Sequence, residues 1–152
     1  MFIHDYVEVQ APFDAVVGAL ESLGAEVGLM AKAAYERGER LAVGPGKGFI
    51  AAPVEFEVGK PLISEDGVSI PIAWTGSSGT RLFPSMEAEL VATRMGSSTT
   101  HILFRGRYSP PLEAFGEALD RVLLHRIAES TVSAFVTRLG RALETEVGSA
   151  SR

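Results

Sequence analysis

At 152 residues and 16.2 kDa the chain has the length of one ordinary domain with enough residues to bury a substantial core, and a second domain is not expected. Hydrophobic residues make up 46% and charged residues 22%, which excludes a disordered chain, and a net charge of -5 supplies no overall positive field for a phosphate backbone, so nucleic acid is not an expected partner. The absence of cysteine excludes disulfides, thiolate nucleophiles and cysteine-ligated zinc.

In chain order, FIHDYVEVQ (2–10) alternates apolar and polar side chains and predicts a first strand. The segment APFDAVVGALESLG follows with Pro12 at a helix start and Gly24 at its end, and Phe13, Val16, Val17 and Leu20 give that helix one apolar face. A second short helix is predicted from Ala25 to about Arg37, carrying Leu29, Met30, Ala33 and Ala34, with Gly38 as its stop. The N-terminus lacks the apolar core of a signal peptide and no later run is long enough to span a bilayer, so a cytoplasmic protein is expected.

From Leu41 to Tyr108 the apolar runs are broken by GPGKG, EDG, GSSG and GSS, the punctuation of an antiparallel meander. Phe56 and Val58 alternate with Glu55 and Glu57, and Val68, Ile70, Ile72 and Trp74 alternate with Ser69, Pro71, Ala73 and Thr75, predicting one dry and one wet face. Taking Gly96-Ser97-Ser98 as a turn pairs Glu87 with Arg107, Glu89 with Arg105, Val91 with Leu103 and Thr93 with His101 on one face. Met86 then meets Tyr108, Ala88 meets Gly106, Leu90 meets Phe104 and Ala92 meets Ile102 on the other. Two opposite-charge pairs in register in front of an apolar face predict a water-facing scaffold that fixes register rather than an acid/base pair. Pro110-Pro111 ends the last strand, and Leu112 to about Val147 fits one long helix with Phe115, Leu119, Val122, Ile127, Phe135, Leu139 and Leu143 apolar. The reading is one domain over 1–147 and a flexible tail over 148–152.

The stretches VEVQAPFDAVVGAL, LFPSMEAELVATRMGSSTTHILFRGRYSPPLEAFGEALDR and LLHRIAESTVSAFVTRL, in the order strand, two helices, meander and long helix, resemble small bacterial members of the SRPBCC superfamily. That group includes START-like lipid-transfer domains, the birch-pollen allergen family and polyketide cyclase/dehydrase-like proteins. The resemblance implies an α+β helix-grip fold, a curved antiparallel sheet wrapped around the long C-terminal helix, with a cavity between them for a hydrophobic or amphipathic small molecule, lipid or polyketide-like. Strand alternation independently nominates the lining as Phe56, Ile70, Ile72, Trp74, Met86, Leu90, Ile102, Phe104 and Tyr108. The long helix adds Thr131 and Phe135, and Met30 closes one end. The competing reading of every one of these residues is plain core packing.

Other candidates carry less. GPGKG lies where the allergen family has a glycine-rich loop, but it lacks the spacing that cradles phosphate, and no cofactor is expected. His4, His101 and His125 have no metal-site spacing, and Glu129 four residues after His125 makes a helix-surface pair. Asp5 shares the parity of Val7 and Val9 and is an acid/base candidate if it points inward, while Arg94 and Thr100 are expected at a mouth. Three functions stay open: a binding or carrier protein for a hydrophobic ligand, a polyketide cyclase or aromatase-like enzyme using Asp5, Tyr108 and Arg94, and an interaction module with a collapsed core.

Overall fold

A computed structural model describes residues 1–43, 54–76, 85–109 and 121–152. The alternating N-terminal segment forms β1 (Phe2–Val9), and two helices follow it, α1 (Phe13–Ser22) and α2 (Gly24–Val43). Pro12 takes the extended conformation of a helix cap (φ -60, ψ 145), its carbonyl accepting from the Val16 N–H, so its missing N–H costs the helix nothing. Val16, Ala19 and Leu20 are buried on the face the spacing predicts.

Gly24 opens α2 rather than closing α1, and Gly38 does not stop it. The second helix is 20 residues long instead of short. A glycine inside a helix costs about 1 kcal/mol relative to alanine, which packing of α2 against the long C-terminal helix and the second strand offsets. Its buried face is Val27, Met30, Ala31, Ala34 and Tyr35, a 3,1,3,1 spacing; Leu29 falls off that face and is 67% exposed.

The meander comprises β2 (Val54–Val58), β3 (Leu62–Ile63), β4 (Gly67–Gly76), β5 (Ser85–Arg94) and β6 (Thr100–Ser109). These join β1 in one antiparallel sheet ordered β1-β6-β5-β4-β2, with β3 paired to β4. The β5–β6 register is the predicted one at every position, Met86 opposite Tyr108 through Arg94 opposite Thr100. Gly96 at φ 80 makes the turn, closed by the Met95 N–H donating to the Thr99 carbonyl at 2.9 Å. Val58, expected on the dry face, is 37% exposed because β2 is an edge strand.

The long helix α3 runs from Arg121 to Ala150, through the first residues of the segment predicted as a tail. Ala128, Val132, Phe135, Val136, Leu139 and Leu143 form its buried stripe. It lies across β1 with α2 beside it, and the sheet curves around it. GPGKG, Pro110-Pro111, Phe115 and Leu119 lie outside the described residues. No described helix is long and apolar enough to cross a membrane.

Candidate functional site

The register stacks the inward side chains into rows between sheet and helix. Val9 and Thr100 make the row nearest α1, followed by Val7, Ile102, Ala92 and Val68, then Asp5, Phe104, Leu90 and Ile70. Ile3, Gly106, Ala88 and Ile72 come next, and Tyr108, Met86, Trp74 and Phe56 form the row at the far end. Of the twelve lining residues nominated from the sequence, Met30, Ile70, Ile72, Trp74, Met86, Leu90, Ile102, Phe104, Tyr108, Thr131 and Phe135 are all buried, and Phe56 is half-buried.

Four aromatic rings run through this interior. Phe56 lies 5.5 Å from Trp74, Trp74 6.1 Å from Phe104, and Phe104 5.9 Å edge-on from Phe135 of α3. Such offset and edge contacts are favourable beyond their buried area, by about 0.5–1.5 kcal/mol each. Beside them the row of Gly106 and Ala88 is a shallow spot in the sheet. A Cβ at Gly106 would stand 2.8 Å from the Ala88 Cβ and 2.9 Å from the Met86 sulfur, so the Met86 thioether occupies the place a larger side chain would take. Thioethers adapt readily to a changed neighbour, having three rotatable bonds.

Polar groups divide sharply by end. At the α1 end the fully buried Thr100 hydroxyl donates to the Ala11 carbonyl at 2.9 Å. Arg94 pairs with Asp14 at 3.3 Å and sits 5.0 Å over the Phe13 ring. Expected at a mouth, Thr100 and Arg94 instead fasten α1 over that end of the sheet. Toward the other end, the Thr131 hydroxyl is buried, 3% exposed, and has no hydrogen-bond partner among the described residues. Other hydroxyls of the same chain segment bond back one turn, Thr145 to the Arg141 carbonyl at 2.8 Å and Ser149 to the Thr145 carbonyl at 2.9 Å. Thr131 does not. It precedes Phe135 by one turn, and α3 runs with its N-terminal half beside Phe2 to Asp5 and with Glu144 accepting from the Gln10 N–H, so Thr131 lies on the Trp74–Tyr108 side of Phe135.

The acid/base candidate is elsewhere. Asp5, half-buried, accepts from the Tyr6 N–H at 2.8 Å and lines a lateral cleft of about 330 Å³ between β1 and α3, with His4, His125 and Glu129. By register Asp5 stands in the Phe104 row, with its carboxylate on this lateral cleft, and with Arg94 engaged at α1 Tyr108 is the one of the three proposed ionisable groups in the far-end row. His125 pairs with Glu129 at 3.1 Å as the spacing predicts, and no cluster among the described residues has the make-up of a metal site.

On the outer face Arg105 donates to Glu89 at 2.6 Å, and the Ser69 hydroxyl donates to the other carboxylate oxygen at 2.6 Å. Ser69 first, then Arg105, hold the Glu89 carboxyl below its ordinary range. The second predicted pair does not close. Arg107 turns its guanidinium 5.2 Å over the Phe2 ring, and Glu87 has no ion partner among the described residues. Sequence reasoning passed over Gly106 as a space-maker and Tyr35 as a buried phenol; the helical spacing from Val27 marks Tyr35, whereas nothing local marks Gly106.

No family model and no curated protein matches the chain. Among solved structures, a conserved protein from Geobacillus kaustophilus is similar at 12% identity and a TM-score of 0.56, over 95% of this chain and 96% of that one. The Zhui aromatase/cyclase from Streptomyces sp. R1128 is 16% identical, with a TM-score of 0.48 over 100% and 96%. A norcoclaurine synthase from Thalictrum flavum, in complex with dopamine and hydroxybenzaldehyde, is 11% identical, with a TM-score of 0.38 over 90% and 87%. At 12% identity the likeness to the Geobacillus protein is one of fold, and the curved antiparallel sheet with its long C-terminal helix is the expected helix-grip architecture.

Proposed function

We propose that this helix-grip protein is a binding or carrier protein for a hydrophobic small molecule with one polar group, held between sheet and helix at the end lined by Phe56, Trp74, Met86, Tyr108 and Phe104. One observation carries the reading. A buried hydroxyl without a partner costs about 1–3 kcal/mol, and the Thr131 hydroxyl lacks the back-bond that Thr145 and Ser149 make farther along the same helix. A ligand carrying a hydroxyl or carbonyl would satisfy it, while aromatic walls take the apolar remainder. Movement of the Met86 side chain away from Gly106 would supply room.

Binding of a medium-chain fatty alcohol and of the alkane of equal length, followed calorimetrically with wild type and Thr131→Val, tests this. Wild type is expected to prefer the alcohol and the variant to lose that preference while keeping the alkane. Equal preference in both proteins contradicts Thr131 as the anchor. A second reading, an interaction module with a filled core, is favoured by the ring contacts of 5.5–6.1 Å that already occupy the interior; neither the alcohol nor the alkane would then bind.

A further inference from the structure

The outer face of the sheet carries charges and apolar groups that the monomer leaves unmatched. Glu87 and Arg107 are Cα partners across β5 and β6, yet Arg107 leans over Phe2, and Glu87 is left without an ion partner among the described residues. Phe2 itself is 75% exposed. In register with it, at the height of Arg107 and Glu87, Ala73 of β4 lies in a groove of about 540 Å³ floored by Pro71 and Val58 and flanked by the Glu57 and Glu87 side chains.

We propose that this face is a dimer interface whose occupant is a second copy of the chain, related by a two-fold axis parallel to the strands and midway between β5 and β6. That operation exchanges β5 with β6 and β1 with β4 while preserving height along the strands. It sets Glu87 against the partner's Arg107, Glu89 against the partner's Arg105, and Phe2 against the groove at the partner's Ala73. A two-fold perpendicular to the strands within the same plane would instead keep carboxylate rows over carboxylate rows, so charge selects the parallel axis. The interface is isologous, each contact occurring twice.

Sedimentation equilibrium over a concentration series tests the proposal with wild type, Arg107→Glu, Glu87→Arg, and an equimolar mixture of the two variants. Wild type is expected to dimerise. Each variant alone places like charges together and should weaken self-association by about tenfold or more, whereas the mixture restores both contacts and should associate at least as well as wild type. Recovery on mixing is a result that a purely intramolecular role of either residue does not produce. Arg107→Gln and Glu87→Gln, which remove attraction without adding repulsion, should weaken association by a smaller factor and keep the test decisive if a reversed charge impairs folding. A wild-type monomer at every concentration overturns the proposal, as does a dimer indifferent to all four substitutions or a mixture no better than its components.

Discussion

Thr131 and Glu89 show how differently two polar groups are treated by the same fold. Thr131 is enclosed with its hydroxyl unsatisfied among the described residues, so replacing it by valine, nearly equal in shape, should leave the ligand-free protein as stable or more stable, by up to about 1–3 kcal/mol. Denaturant unfolding reads this, and a loss of stability would mean that the hydroxyl has a partner in the folded protein. Glu89 is satisfied twice, by Ser69 and Arg105, and its pKa is lowered by folding. Its contribution is therefore present above the ordinary glutamate pKa of about 4.3 and lost as pH falls through the lower folded-state value. Glu89→Gln should remove that part of the acid dependence in pH-resolved unfolding curves. In the monomer the pair is solvent-accessible, so at concentrations too low for self-association a double-mutant cycle of Glu89→Ala and Arg105→Ala should give coupling of about 0.2–1 kcal/mol.

Elements were legible in the sequence where a single periodicity governs them. The β5–β6 hairpin has period two throughout, so one turn assignment set every partner and every facing side chain. The extent of α2 was not legible, because a local stop at Gly38 was overridden by packing on α3 and β2, which no local pattern records. Nor does parity alone locate Asp5, which lies on an edge strand and can lean toward the lateral cleft rather than the interior. Close approach of elements is equally hidden. Gly140 in α3 faces β1, and a Cβ there would stand 2.9 Å from the Val7 Cγ2. Gly140→Ala would gain about 1 kcal/mol of helix propensity, but overpacking costs about 1–3 kcal/mol. A net loss of stability in thermal unfolding is expected, and a gain would show that α3 and β1 separate freely.

At the scale of the whole molecule the two ends of the sheet have opposite characters. Thr100, Arg94 and α1 close one end with specific polar bonds, whereas Trp74, Met86 and Tyr108 of the other end combine with Thr131 into the proposed ligand site. That division rests on the helix-grip arrangement, in which a long helix presents a single stripe to a curved sheet. Trp74 is the chain's only tryptophan, is 3% exposed, and stands between Phe56 and Phe104, so its fluorescence reports on this interior without a label. The most direct measurement is a titration of Trp74 emission with fatty alcohols of increasing length. A ligand site here gives a saturable change whose affinity rises by at most about 0.8 kcal/mol for each added methylene, roughly fourfold, until the site is full. Emission unchanged by every member of the series would contradict it and identify the interior as a filled core.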